Sequence, residues 1–294
     1  MRVSCAALAF SLIMEQASDP IETALREDLG DGDVTTQFFV PKGLQALGRI
    51  IARERAVVAG TETAAEVFRR MDPTLTVAIL QPDGTALTGG ETVLEVRGAA
   101  NSILTAERVA LNFLQRLSGI ATLTRQFVDA IGPSRAKILD TRKTTPGLRA
   151  LEKAAVMAGG GANHRSTLSD MVLVKDNHLS ANGGLSEFAS TIKRLREERP
   201  GLKIEVEADR LDQVRSFLEL DGIDVILLDN MEPTEMREAV AAGKGKVKFE
   251  ASGGITVKSV RRIAATGVDY ISVGALTHSA RSIDLSLELT HVGN

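Results

Sequence analysis

From Gly119 onward the chain repeats one pattern: a short apolar run, a polar break, a stretch with helical spacing, then another apolar run. The runs fall at Lys137–Leu139, Met171–Val174, Lys203–Val206, Val225–Leu228, Lys246–Phe249 and Tyr270–Val273. Helical patterns occupy Leu148–Ala158, Leu185–Glu198, Leu211–Leu218, Pro233–Ala242 and Val257–Thr266. Such an alternation predicts parallel strands joined by helices and buried on both faces. An open doubly wound sheet satisfies the pattern as well as a barrel does. The C-terminal ends of the runs favour the barrel. They carry Arg142-Lys143, Lys175, Glu207, Asp229, Ser252 and the turn at Gly274, and a barrel builds its site from convergent strand ends.

Before Gly119 strands dominate. Leu47–Ala59, Thr74–Leu80 and Thr92–Arg97 read as strands, with Pro82-Asp83-Gly84 as a tight turn and a helix over Glu62–Arg70. Pro20–Gln37 predicts a helix ending at Leu29-Gly30, followed by an acidic, glycine-rich turn. Asn101 or Ser102 is expected to cap a helix from Ile103 to Leu117. Ile103, Ala106, Ala110, Phe113 and Leu117 form one apolar face, which Leu104, Leu111 and Leu114 widen. Arg108, Asn112 and Gln115 leave only a narrow polar stripe. A helix apolar over most of its circumference packs on more than one body, so a domain or subunit interface is expected here.

The 294 residues have room for one large domain or two of ordinary size. Cys5 is the only cysteine, which excludes an internal disulfide framework and a Cys-based zinc site. A reducing compartment fits, and the expectation is a cytoplasmic protein. A net charge of -3 gives no reason to expect nucleic acid. The opening MRVSCAALAFSLIMEQ has one Arg, a mostly apolar stretch and no clear small-residue cleavage site. It reads as an amphipathic or interface helix rather than a signal peptide. No other stretch approaches the ~20 apolar residues of a membrane span, so no membrane is expected.

Against that acidic balance, seven Lys or Arg lie between Lys137 and Lys175. Arg142, Lys143, His164, Arg165 and Lys175 sit at strand ends or just after a glycine loop, which points to an anion site. Any one of them alone reads equally well as a solvated rim or loop cap. Gly159-Gly160-Gly161 lacks a following Gly-Lys-Ser/Thr and does not follow a strand. It is therefore neither a Walker loop nor a dinucleotide fingerprint. As a helix terminator it is ordinary, and it would let backbone approach a ligand closely. Glu207 and Asp229 end consecutive strands, where two carboxylates can hold Mg²⁺ or sugar hydroxyls, or neutralise the basic ring. Ser252-Gly253-Gly254 and Gly274-Ala275 follow the last two strands, where barrels often build a phosphate site.

Taken together, these residues resemble the quinolinate phosphoribosyltransferase family, the nicotinate-nucleotide diphosphorylases (carboxylating) of the type II phosphoribosyltransferases. The resemblance runs from about Ile21 to Leu289. It rests on ALREDLGDGDVTT, ERVALNFLQRLSGIAT, DTRKTTPGLR, GGGANHR, LVKDNH, EVE, LLDN, SGGI and SVGALTHS, in that order. It implies an α/β fold with an N-terminal α/β sandwich domain, residues 1–118 completed by 276–294. Residues 119–275 would form an incomplete, about six-stranded parallel α/β barrel that carries catalysis. It further implies a homodimer in which Arg108 serves the partner's site.

The implied reaction joins quinolinate to 5-phosphoribosyl-1-diphosphate, giving nicotinate mononucleotide, diphosphate and CO2, a step of de novo NAD biosynthesis. By the same resemblance Arg108, Thr141, Arg142, Lys143, His164, Arg165 and Lys175 bind substrate. Lys143, Glu207 and Asp229 are the catalytic set, and Glu207 and Asp229 face the ribose and Mg²⁺. Ser252, Gly253, Gly254, Gly274 and Ala275 hold the 5-phosphate. No organic cofactor is implied. Three alternatives stand beside this. One is a same-fold paralogue acting on another acceptor, such as the molybdenum-operon homologue or a nicotinate-specific enzyme. The others are a Schiff-base aldolase using Lys175 or Lys143, and a binding protein for a phosphorylated ligand.

Overall fold

The structure, a computed structural model, describes residues 19–181 and 185–291. The N-terminal segment read above as an amphipathic or interface helix lies outside the described residues. The chain enters through α1 (Pro20–Leu29) and α2 (Val34–Phe39). Asp19 starts α1 by accepting the Ile21 N–H at 2.9 Å, with Pro20 at the first helical position. The acidic turn expected after Gly30 instead runs into α2, because Asp33 accepts the Thr36 N–H at 2.9 Å and caps it.

There follow β1 (Gln45–Ala52), β2 (Ala56–Val57), α3 (Thr61–Met71), β3 (Thr76–Ile79), β4 (Ala86–Leu87), β5 (Thr92–Ala99) and α4 (Ala100–Ile131). β1, β3 and β5 join the last strand of the chain, β12 (Leu285–His291), in an antiparallel sheet of order β12-β1-β5-β3. β2 and β4 form a small ribbon whose turn residue Asp83 accepts the Gly60 and Thr61 N–H groups at 2.9 Å, capping α3. Phe68 of α3 and Ile103 of α4 are fully buried with Ile50 and Leu94 of the sheet. Each such side chain contributes roughly 1.5–3 kcal/mol.

Helix α4 is 32 residues long, whereas the sequence pattern ended it at Leu117. Ser118-Gly119 reads as a terminator but marks a crossing. A Cβ at Gly119 would lie 2.0 Å from the Arg281 carbonyl oxygen, so only glycine admits the returning chain. Neither Asn101 nor Ser102 caps the helix. Ser102 Oγ donates to Asp72 at 2.7 Å and Asn101 reaches the Thr36 carbonyl, so both side chains are committed to other elements. The first half of α4 packs into the core of the antiparallel sheet. Leu117, Ile120, Ala121, Phe127 and Ile131 belong to a second core. A boundary between residues 118 and 119 therefore falls inside one continuous rod.

The second core is a βα repeat: β6 (Lys137–Leu139), α5 (Arg149–Ala158), β7 (Val172–Val174), α6 (Asp176–Ala181), α7 (Leu185–Glu198), β8 (Ile204–Ala208), α8 (Leu211–Leu218) and β9 (Val225–Asp229). It continues through α9 (Pro233–Gly243), β10 (Lys248–Ser252), α10 (Val260–Ala264), β11 (Tyr270–Ser272) and α11 (Ala275–His278). The six strands are parallel, in the order β6-β11-β10-β9-β8-β7. That order decides between the two architectures the sequence allowed. A doubly wound sheet grows outward from its first strand; here the first strand pairs with the last, as in a barrel left open at one seam.

Side chains alternate along each strand. Ile204, Val206, Ile226, Leu228, Phe249, Ala251 and Ile271 pack into the core with the surrounding helices. The opposite set, which includes Glu205, Glu207, Leu227, Asp229, Glu250, Ser252 and Ser272, faces the interior. Two of the three glycines are required by packing. A Cβ at Gly159 would lie 2.5 Å from the Ala121 carbonyl oxygen, and one at Gly161 would meet Thr124 of α4.

Candidate functional site

Asp140 follows β6 and is fully buried. Its carboxylate accepts Lys153 Nζ of α5 at 2.5 Å and the His164 N–H at 2.8 Å. Lys153 Nζ also donates to the His164 carbonyl at 2.9 Å. Burial raises the Asp140 carboxyl above its ordinary range, and the Lys153 ammonium opposes that. Removing one partner of such a buried pair costs about 3–5 kcal/mol, because the other charge is stranded.

A second buried acid, Glu152, fixes the loop that carries Arg142 and Lys143. It accepts the Thr145 N–H at 3.1 Å, Thr145 Oγ1 at 2.7 Å and Arg116 Nη2 of α4 at 3.0 Å. Arg149 holds Thr144 Oγ1 at 3.0 Å and the Ser166 carbonyl at 2.9 Å, while Thr277 Oγ1 donates to the Lys143 carbonyl at 2.8 Å. The loop is thus tied to α4, α5 and α11 before any substrate arrives.

At the C-terminal ends of the strands lies a cavity of about 780 Å³. Its lining includes Thr141, Arg142, Lys143, His164, Arg165 and Lys175 on one side, with Glu207 and Asp229 and the loops of Ser252, Gly253, Gly254, Gly274 and Ala275 on the other. The structure therefore brings together all of the expected site residues except Arg108. Arg108 is exposed on α4 beside Asp33, Val34 and Leu104, in a separate depression, and does not reach the cavity of its own chain.

The charges in the cavity are partly committed. Lys175 Nζ lies 2.7 Å from Glu207 Oε2, and Asn230 donates to Asp229 Oδ2 at 2.8 Å. The Nε atoms of Arg142 and Arg165 are buried without a hydrogen-bond partner among the described residues. Burial, and then the neighbouring Arg142 charge, lower Arg165 from its ordinary value. Two neighbouring, half-buried guanidinium groups with unsatisfied Nε atoms are stabilised by an anion between them. The donor set of Glu207 and Asp229 is oxygen only, with Glu207 Oε1 and Asp229 Oδ1 outside the hydrogen bonds just given. That suits Mg²⁺, which takes one or two carboxylates and completes its shell with water and phosphate.

Deeper in the barrel, His164 Nε2 lies 3.0 Å from Glu205 Oε2 and 3.7 Å from Glu250 Oε1. Burial pushes the Glu250 carboxyl up, Glu205 adds to that, and it reaches about 8. For His164, burial disfavours the charged ring, but the Glu205 hydrogen bond and the charges of both glutamates outweigh it and raise it. One contact works the other way: the Arg165 backbone N–H donates to Nδ1 at 2.8 Å. His164, Glu205 and Glu250 have the composition of a metal site. With Nδ1 receiving a proton donor, however, Nε2 must carry the ring proton and has no lone pair for a metal.

Sequence reasoning overlooked Asp140, Glu152, Lys153, Glu205 and Glu250. Acids interrupting the apolar runs KIEVE and KFEAS were the available signal for the last two.

Comparison with known proteins places these features in context. The family described as quinolinate phosphoribosyl transferase, N-terminal domain, matches residues 33–118, and its C-terminal domain matches residues 120–288. A chloroplastic nicotinate-nucleotide pyrophosphorylase [carboxylating] of Oryza sativa subsp. japonica is 43% identical over 285 residues, covering 92% of this chain and 76% of the relative. A probable nicotinate-nucleotide pyrophosphorylase [carboxylating] of Bacillus subtilis is 42% identical, with 90% of each chain covered. The crystal structure of NadC from Streptococcus pyogenes superposes with a TM-score of 0.88 at 41% identity, covering 95% of this chain and 98% of that one.

The raised Glu250 carboxyl sets a pH dependence of stability. Between about 4.5 and about 8 the folded protein keeps a proton that the unfolded chain releases, so this group's contribution falls as pH rises through that window. Glu250→Gln has no proton to lose. Thermal melts of the variant and the parent across that range should show the Tm difference moving in favour of Gln with rising pH; a constant difference would contradict the assignment.

Proposed function

The chain belongs to the quinolinate phosphoribosyltransferase family, and from that premise we propose that it transfers the phosphoribosyl group of 5-phosphoribosyl-1-diphosphate to quinolinate. The products are nicotinate mononucleotide, diphosphate and CO2, in the de novo route to NAD. The observation that carries this reading is the cavity itself. Two half-buried guanidinium groups, each with a buried and unsatisfied Nε, sit on one side of it, and two carboxylates with two glycine loops sit on the other. Quinolinate is a dianion and suits the first side. A ribose phosphate, with hydroxyls to donate and a phosphate to receive N–H groups, suits the second.

In this proposal Arg142 and Arg165 clamp the acceptor carboxylates and turn the ring nitrogen toward the anomeric carbon of the ribose. Glu207 and Asp229 accept hydrogen bonds from the ribose hydroxyls and stabilise the positive charge that builds on the sugar as the bond to diphosphate breaks. They are also the residues that would hold Mg²⁺, which supplies charge neutralisation for the departing diphosphate. Lys143 stands over the Gly274 loop, within 3.1 Å of where a Cβ there would sit, and serves the phosphates of the donor. The ring nitrogen gives its electron pair to the anomeric carbon and becomes cationic. It can then take the pair released when the adjacent carboxylate leaves as CO2, and a proton replaces that carboxylate on the ring carbon. The protein supplies position and charge.

The working unit in this reading is a homodimer in a reducing, cytoplasmic setting, with Arg108 reaching the partner's cavity. Support comes from the exposed apolar residues Val34, Phe38 and Phe39 of α2, which are 67, 76 and 82% accessible, with Val34 sharing a depression with Arg108. Arg108→Ala and Lys143→Ala should each be inactive alone. Mixing them under conditions of subunit exchange should restore part of the activity, because hybrid dimers regain one intact site. No recovery with exchange demonstrated would overturn the shared site.

The acceptor can be tested by substitution of substrate. A mono-acid leaves one of the two guanidinium groups, with its buried Nε, without a carboxylate partner, so nucleotide formation from nicotinate should be slower than from quinolinate by a factor of about a thousand in kcat/KM. Comparable turnover on nicotinate would favour a same-fold enzyme with another acceptor.

A further inference from the structure

The interior of a parallel barrel is ordinarily filled by branched apolar side chains. Here one inward layer, just below Glu207, Asp229 and Ser252, contains Glu205 and Glu250, which are 1% and 2% exposed. Each leaves its Oε1 buried with no hydrogen-bond partner among the described residues. An oxygen of each carboxylate and a ring nitrogen of His164 lie within 4.8 Å of one another. Two ionised carboxylates this close and this dry would repel strongly. A proton on Glu250 directed at Glu205 turns one orphaned oxygen into a donor and the other into an acceptor. The other oxygen of Glu205, Oε2, accepts the His164 Nε2 proton at 3.0 Å.

The far side of the ring completes the constraint. Nδ1 receives the Arg165 backbone N–H at 2.8 Å, and an imidazolium would present a second N–H to that donor. The Glu205 hydrogen bond and the charges of both glutamates favour a cationic ring, and Lys153, whose Nζ lies against the His164 carbonyl, opposes one. A proton on Glu250 removes one of the favouring charges, and the Nδ1 contact then decides for the neutral ring. The same contacts hold Arg165. Its N–H is fixed by the His164 ring, its Nη1 donates to the Met171 carbonyl at 2.9 Å, and its unsatisfied Nε borders the cavity.

We propose that His164 works as a neutral imidazole with its proton on Nε2, and that it is a positioning residue setting Arg165 for the acceptor carboxylate rather than a cation that binds the acceptor itself. The part of this that concerns the acceptor rests on the function proposed above; the state of the ring does not.

The ring state can be read directly. With His178, His278 and His291 replaced by Gln, the histidine side-chain ¹⁵N spectrum of the full chain at neutral pH reports His164 alone. One protonated nitrogen at Nε2 and one bare nitrogen at Nδ1 are expected. Two protonated nitrogens, or the proton on Nδ1, would overturn the proposal. Kinetics test the role in the parent background. His164→Asn keeps an acceptor near Nδ1 for the Arg165 N–H and carries no charge, whereas His164→Ala keeps neither. The Asn variant should hold the quinolinate KM within about threefold of the parent and the Ala variant should raise it about tenfold or more. If both lose affinity equally, the positioning role fails. If the parent itself gives no turnover with quinolinate, the function proposed above fails while the spectrum still decides the ring.

Discussion

Asp140 and Lys153 meet at 2.5 Å in a place almost closed to water, and the candidate site is assembled around that contact. Each charge is costly there and tolerable because the other is present, with backbone groups of the same loop filling the remaining positions. The consequence is geometric. Asp140 follows the first barrel strand, Lys153 lies in the middle of α5, and both hold the backbone of His164. Arg165 follows His164, and Arg142 follows Asp140 by two residues. The backbone that carries the two guanidinium groups bordering the cavity is therefore anchored to one buried ion pair. Glu152, one residue before Lys153, does the same for the loop of Lys143 through Thr145 and links it to the long helix α4. A helix with adjacent charged residues facing two loops would be unstable without those partners.

The division of labour along the barrel follows from the period of a strand. Glu205 and Glu207 point the same way, as do Glu250 and Ser252, so one strand contributes a residue to the mouth and another one layer down. The upper residues meet substrate-sized space; the lower ones meet each other and His164. Acidic groups under a cationic pocket offset the mutual repulsion of Arg142 and Arg165, and their own repulsion is relieved by a proton.

Much of this was legible in the sequence because it depends on local pattern. The alternation after Gly119 carries the parallel strands, and the polar residues at strand ends carry the cavity, since a strand's last inward residue must face the mouth. What depends on contacts between distant segments was not legible. Ser118-Gly119 looks like a helix end because the pattern cannot reveal that Arg281 crosses there. The three glycines after α5 look like ligand-approach glycines, yet Gly159 and Gly161 receive Ala121 and Thr124 of α4, and Gly160 meets Arg125 of the same helix. Glu205 and Glu207 are equivalent in KIEVE, and only depth in the barrel separates a buried partner of His164 from a residue of the mouth. The choice between a doubly wound sheet and a barrel turned on a single fact, that the first strand pairs with the last.

The central claim is that the pocket couples transfer onto the ring nitrogen to loss of the neighbouring carboxylate. Quinolinate labelled with ¹³C in the carboxylate adjacent to the nitrogen tests it directly, in the presence of 5-phosphoribosyl-1-diphosphate and Mg²⁺. All of the label should leave as CO2, in step with an unlabelled mononucleotide. Label retained in the nucleotide, or CO2 released without nucleotide, would contradict the account.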